Sequence, residues 1–129
     1  MINITPDFAA AFAEEWISSW NSHDINKILS HYADDFTIES GLAAKLVPAS
    51  KGRVVGREAV KKYWTLGLSL NKNLAFKLLD VLSGINGLTI YYINMANQLK
   101  AVEIMMFNEA GKVQKAFVHH SGNWEKKLE

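Results

Sequence analysis

The amino-acid sequence predicts an α+β fold in which three N-terminal helices pack on one face of a curved, mostly antiparallel sheet. Three observations carry this expectation. Phe8, Phe12, Trp16 and Trp20 recur every four residues, the spacing of one helix face. From Leu74 onward, branched and aromatic residues fall into four short segments of strand character. Between two of these lies Asn86-Gly87, a hairpin signal because both residues tolerate positive φ. Helices first and a meander of strands afterwards separate the two layers along the chain.

The elements follow in order. Thr5 then Pro6 predict an N-cap with proline at the first helical position, where its missing N–H costs nothing. The helix that follows carries the aromatic stripe, with Ala9, Ala13 and Ile17 alongside and Glu14, Glu15 and Ser18 outside it. Asn21-Ser22-His23 breaks it, and Asp24 caps a short second helix bearing Ile25, Ile28, Leu29 and Tyr32, which Asp34-Asp35 ends. Phe36–Ser40 alternates like a half-buried strand. Residues 41–56 hold three glycines, one proline and no period, so they predict a long connection, the natural place for a lid or pocket rim. Arg57–Leu70 returns to helix, with Val60 and Trp64 one turn apart. Leu74–Ser83, Leu88–Asn94, Leu99–Phe107 and Val113–His120 are the strands, and Trp124–Glu129 is a charged tail that frays or caps the edge.

Length and composition bound the rest. The 129 residues, 49% of them hydrophobic, make one domain, 1–129, with enough apolar side chain for a core without staples. There is no cysteine, which excludes disulfides, thiolate metal sites and cysteine nucleophiles. Net charge is +1 and only Arg53 and Arg57 are arginines, a poor match to nucleic-acid binding. No apolar run approaches a membrane span and no signal peptide opens the chain, so a soluble cytoplasmic protein is expected. The charge is segregated: residues 1–39 sum to −6 and residues 45–77 to +7. Solvated helix faces account for such blocks, as does a local field that attracts an anionic ligand or orients a partner.

The usual catalytic signatures are absent. No phosphate loop and no helical His-Glu-x-x-His pattern occurs. His119 and His120 are adjacent on a strand, so their side chains diverge and cannot chelate one ion; neither metal nor cofactor is expected. Ser22-His23-Asp24 has the letters of a triad, but Asp24 is needed as a cap. Glu103 stands out. It shares a strand face with Ala101, Met105 and Phe107, while Val102, Ile104 and Met106 take the other face. Both faces are apolar, so the carboxyl is expected to be at least partly buried and its pKa raised. As a neutral acid it would hydrogen-bond developing negative charge or shuttle a proton; the alternative is a carboxylate paired with Lys100 or Lys115 at the sheet edge.

Three stretches of the chain then line up with a known family. The helical stripe ending in Trp20-Asn21-Ser22-His23-Asp24, followed by Tyr32-Ala33-Asp34-Asp35-Phe36, resembles the opening of the nuclear transport factor 2-like superfamily, in its ketosteroid isomerase and SnoaL-like polyketide cyclase branch. Val55-Gly56-Arg57-Glu58-Ala59-Val60 with Tyr63-Trp64 is similar to its third helix, and Val102-Glu103 through Lys112-Val113 to its last hairpin. The resemblance covers Phe8 to Ser121. It implies a cone-shaped α+β barrel of the cystatin-like, nuclear transport factor 2-like kind, enclosing a small apolar molecule. Glu103 then falls where the isomerases keep a strand aspartate protonated to bind an enolate oxygen. Trp16 falls at the tyrosine that completes the oxyanion hole, and Ser40 at the aspartate that moves the proton. Serine is no base without a partner, so two of three roles are altered and steroid isomerisation itself is not carried over.

The resemblance further places Trp16, Tyr32, Trp64, Met105, Ala116 and Val118 on the cavity wall, with His120 as the second titratable group. Glu103, His120 and Ser40 are the candidate catalytic residues for a cofactor-independent isomerase or cyclase acting on a carbonyl-bearing substrate. The alternative is a non-catalytic ligand-binding or dimerisation domain of the same fold. Family members pair through the outer face of the sheet, and Val102, Ile104, Met106 and Phe117 would suit such a homodimer.

Overall fold

The computed structural model describes residues 3–122 and 124–127. Helix α1 spans Pro6–Ser22; the Thr5 hydroxyl accepts from the Phe8 N–H at 3.1 Å, and Pro6 opens the first turn. Its buried face is Ala9, Phe12, Ala13, Trp16, Ser19 and Trp20, the expected stripe except that Phe8 lies at its edge. His23 ends it in the left-handed region (φ 61°), where its N–H returns to the Trp20 carbonyl. Asp24 then caps α2 (Ile25–Leu29) through hydrogen bonds from Asn26 N and Lys27 N, so the triad-like letters are indeed a cap.

Tyr32 is not on the second helix. That helix ends at Leu29, and strand β1 runs from Tyr32 to Ser40. Asp34 and Asp35 are both exposed because the ladder beside them shifts register between Tyr32 and Thr37, which suspends the alternation for one step. Residues 41–56 are not an open connection: they form α3 (Gly41–Leu46), a 3-10 turn (Pro48–Ser50) and strand β2 (Arg53–Val55). The Ser40 hydroxyl starts α3 by accepting from Leu42 N at 3.2 Å, Lys51 and Gly52 take the positive φ that folds β2 back on β1, and Gly56 takes it at the start of α4. Helix α4 covers Arg57–Leu70 as expected.

Strands β3 (Phe76–Ser83), β4 (Gly87–Asn94), β5 (Leu99–Phe107) and β6 (Val113–His120) complete one six-stranded sheet in the order β2-β1-β6-β5-β4-β3. All pairs are antiparallel except β1 with β6. In the β3–β4 hairpin Asn86 takes positive φ (63°) but Gly87 does not. Gly87 is needed for space instead, since a Cβ there would lie 2.5 Å from the Met105 carbonyl oxygen. The short α5 (Trp124–Lys127) follows β6; the remainder of the tail expected to fray lies outside the described residues.

One core joins α1, α2, α4 and the inward rows of the strands. Along β5, Leu99, Ala101, Glu103, Met105 and Phe107 are buried, while Val102, Ile104 and Met106 are half-buried on the outer face. No helix among the described residues is long and apolar enough to cross a membrane. The acidic and basic blocks are mostly solvent-facing, and Arg57 Nε of one pairs with Asp34 Oδ1 of the other at 3.1 Å.

Candidate functional site

Between α1, α4 and the inner face of the sheet lies a cavity of about 90 Å³. Its deep end holds Glu103, which is 4% exposed. The strand registers explain what surrounds it. Asn94 pairs with Leu99, so Ile90 is opposite Glu103 and Tyr92 is diagonal to it on the same face. The Tyr92 hydroxyl accordingly donates to Glu103 Oε2 at 3.1 Å. The other carboxyl oxygen, Oε1, is buried without a partner among the described residues. Neither Lys100 nor Lys115 is opposite it: both are exposed, and they occupy the alternate rows. The ion-pair alternative therefore falls, and the buried reading holds.

Desolvation pushes the Glu103 carboxyl up to about 8, against a smaller lowering by the Tyr92 hydrogen bond. At pH 7 the group is predominantly neutral. Its neighbours are affected in turn. Tyr92 and Tyr32 are raised well above the usual phenol value by burial and then by Glu103, and Tyr63 is pushed by burial to about 12. His120 lines the cavity one diagonal step from Glu103, since Glu103 pairs with Val118 and Ala101 with His120. Burial first, then His119, lowers its pKa, so it too is neutral at pH 7. The Trp124 ring stacks on it, 5.5 Å between centroids and 26° between planes.

Ser40 also lines the cavity, at the end of β1, but its oxygen is engaged. It accepts from Leu42 N as the α3 cap and from the Tyr63 hydroxyl at 3.4 Å. With both lone pairs used, only its proton faces onward. Trp64 and Val118 line this cavity. Trp16, Tyr32, Met105 and Ala116 do not; all four are buried in the core outside the lining. Trp16 is turned away for a definite reason: its Nε1 donates to the Tyr32 hydroxyl at 2.9 Å, and the two residues satisfy each other. No oxyanion donor is available from Trp16.

The wall carries residues that the sequence reading passed over: Tyr92, Tyr63 and Trp20. Tyr92 is recoverable from the strand spacing, because the Asn94–Gln98 turn fixes its register against Glu103. Trp20 is 8% exposed, and its indole nitrogen is another buried side-chain polar atom without a partner among the described residues. The half-buried lining residues Leu42, Asn71, Leu74 and Asn97 mark the mouth. None of the lining residues is a lysine or arginine. Among the described residues no three His, Asp or Glu side chains come together as ligands for an ion.

A family model for SnoaL-like domains matches residues 13–113. The chain is similar to a SnoaL-like protein of unknown function from Burkholderia thailandensis, with 36% identity, a TM-score of 0.88, and coverage of 94% of this chain and 100% of that one. TerC, co-crystallized with polyporic acid, shares the fold at 14% identity and TM-score 0.75, over 96% and 98% of the two chains. A hypothetical protein with a ketosteroid isomerase-like fold from Catenulispora acidiphila, in complex with trimethylamine, does so at 12% identity and TM-score 0.66, over 92% and 88%. No curated protein matches the chain.

Proposed function

Because the chain belongs to the SnoaL-like domain family, we propose that it binds a small carbonyl-bearing molecule in the cavity and moves a proton on it without a cofactor. The observation that supports this most directly is Glu103: a neutral carboxylic acid, buried in an apolar wall, with one oxygen uncommitted. In this reading its O–H hydrogen-bonds the carbonyl oxygen and stabilises the charge that gathers there as the adjacent carbon loses a proton. His120, neutral and diagonal to Glu103, accepts that proton and returns it to the same or a conjugated carbon. Nothing is oxidised or reduced. Ser40 donates its hydroxyl proton toward the substrate rather than acting as the base, so the isomerase arrangement is altered at that step.

The cavity restricts the substrate. About 90 Å³ is less than the roughly 150 Å³ hole that accommodates benzene. A single ring fits only with part of it in the mouth beside Asn71 and Asn97, as does the end of a longer molecule. A fused steroid frame does not. The test is proton exchange at the α-carbons of small cyclic ketones in deuterated water, followed by NMR. The proposal expects exchange above the buffer rate, lost in Glu103→Gln and reduced in His120→Phe. Exchange no faster than buffer, or unchanged in Glu103→Gln, would overturn it.

The outer sheet face favours a second reading, a domain that binds or associates without catalysis. Val102, Ile104, Met106 and Phe117 form a half-buried apolar row there, and beyond it Leu82 is 56% and Ile85 71% exposed. A homodimer through this face would cover the row. Sedimentation at micromolar concentration tests it: wild type should sediment as a dimer and Ile104→Glu as a monomer, whereas a monomeric wild type removes the proposal.

A further inference from the structure

Trp20 Nε1 and Glu103 Oε1 are the buried side-chain polar atoms left without a hydrogen-bond partner among the described residues, and both residues line the same cavity. Folding by itself disfavours each, because a buried polar group gives up its water. Trp20 comes from the last turns of α1 and Glu103 from β5, so they occupy the helix wall and the sheet wall. The Trp20 ring is held in place by Trp64 and Phe76, with centroids 5.1 and 5.6 Å away. An indole nitrogen only donates. Glu103 takes a hydrogen bond at Oε2 from Tyr92, which leaves the acid proton to Oε1. Each wall therefore offers one buried donor and no charge.

We infer that Trp20 and Glu103 together select a small cyclic ligand carrying two proton-free oxygens on opposite sides of an apolar ring, a diketone in chemical class. A carboxylate has both oxygens on one side and brings a charge that no lysine or arginine on the wall balances. A monoketone satisfies one donor and strands the other. The ring itself matches the aromatic lining of Trp20, Trp64, Phe76 and Tyr92. This rests on the cavity being the ligand site, and it adds Trp20 as the residue that sets specificity.

The test compares 1,4-cyclohexanedione with cyclohexanone at pH 7, titrated into the whole protein and followed by the tryptophan indole N–H signals in ¹H–¹⁵N NMR. The dione is expected to shift the Trp20 signal downfield and to bind more tightly than the monoketone. Trp20→Phe keeps the aromatic bulk and should weaken the dione by about tenfold, the net value of one good hydrogen bond, while cyclohexanone loses little. The wild-type Trp20 signal needs no variant, so a folding defect in Trp20→Phe does not decide the matter. Two ketones that bind equally well, with the Trp20 signal unmoved, overturn the inference and leave the cavity as a ligand site. Absence of binding by either overturns both.

Discussion

The hydroxyl of Tyr92 donates to one oxygen of Glu103 at 3.1 Å while the other oxygen, equally buried, has no hydrogen-bond partner among the described residues. The carboxyl is thus fixed in orientation without being satisfied. An acid that is positioned but not neutralised by a cation retains both its proton and the ability to donate it.

Stability should report that proton directly. Native Glu103 keeps it up to about pH 8, whereas an unfolded glutamate releases it near 4.3. The folded state therefore binds more protons across that window, and stability falls as pH rises through it, by an amount on the order of a few kcal/mol. Below the window and above it this group contributes no slope. Urea unfolding of Glu103→Gln should lack the slope, leaving the variant more stable than wild type at pH 9; parallel curves for the two proteins would contradict the assignment.

Tyr92→Phe should move the Glu103 titration further up. The tyrosine hydrogen bond is the one influence that lowers this pKa, and removing it leaves desolvation unopposed. Carbon-13 NMR of the glutamate side-chain carboxyl reads the change. A downward shift would mean that water enters the gap and takes the place of the hydroxyl. The variant should also lose about 1–3 kcal/mol of stability, the cost of a buried acceptor without a donor.

Gly41→Ala should release α5 from the body of the protein. A Cβ at position 41 would lie 2.7 Å from the Trp124 ring, which lies against the glycine and stacks on His120. With the ring displaced, water reaches His120 and its lowered pKa returns toward 6.5. The imidazole proton signals, titrated by NMR, measure this; an unshifted His120 would show that the indole does not shield it.

Arg57 and Asp34 should prove unequal partners. Asp34 is almost fully exposed, so Asp34→Asn is expected to change stability by no more than about 0.5 kcal/mol. Arg57 additionally donates to the Leu29 carbonyl at 3.3 Å and the Tyr32 carbonyl at 2.8 Å, tying the end of α2 to the start of β1. Arg57→Ala should therefore cost about 1–3 kcal/mol. Thermal unfolding of both variants separates the backbone tie from the ion pair.

How much of this could be read from the sequence differs from element to element. The α1 stripe, the Asp24 cap and the last three strands follow from local periodicity and cap chemistry, and the structure keeps them. Residues 41–56 were illegible because a six-residue helix and a three-residue strand are too short to show a period. They are held by non-local contacts, the Ser40 cap and pairing with β1. Tyr32 is hard to place from local sequence because it sits between a helix end and a strand start, with a donor to its carbonyl, Arg57, 25 residues away. In the site, the burial of Glu103 was legible from two apolar strand faces. The wall was not: Trp16 and Trp20 are one turn apart on the same stripe, and which of them faces the cavity depends on Tyr32 reaching Trp16 first.

The parallel pairing of β1 with β6 gives the cavity an unusual dependence on the chain. Ser40 lies beside Val118 across that ladder, so the two walls come from segments almost eighty residues apart in sequence. Local elements such as the β4–β5 hairpin form from neighbours, but this seam closes only after the intervening chain has been laid down. A ligand held there binds the closed chain and none of its partial forms. At a hundred times its dissociation constant it would add about 2.7 kcal/mol to global stability. If the proposed ligand binds, its occupancy would act as a clasp, pinning the first strand to the last and protecting the chain between them from opening.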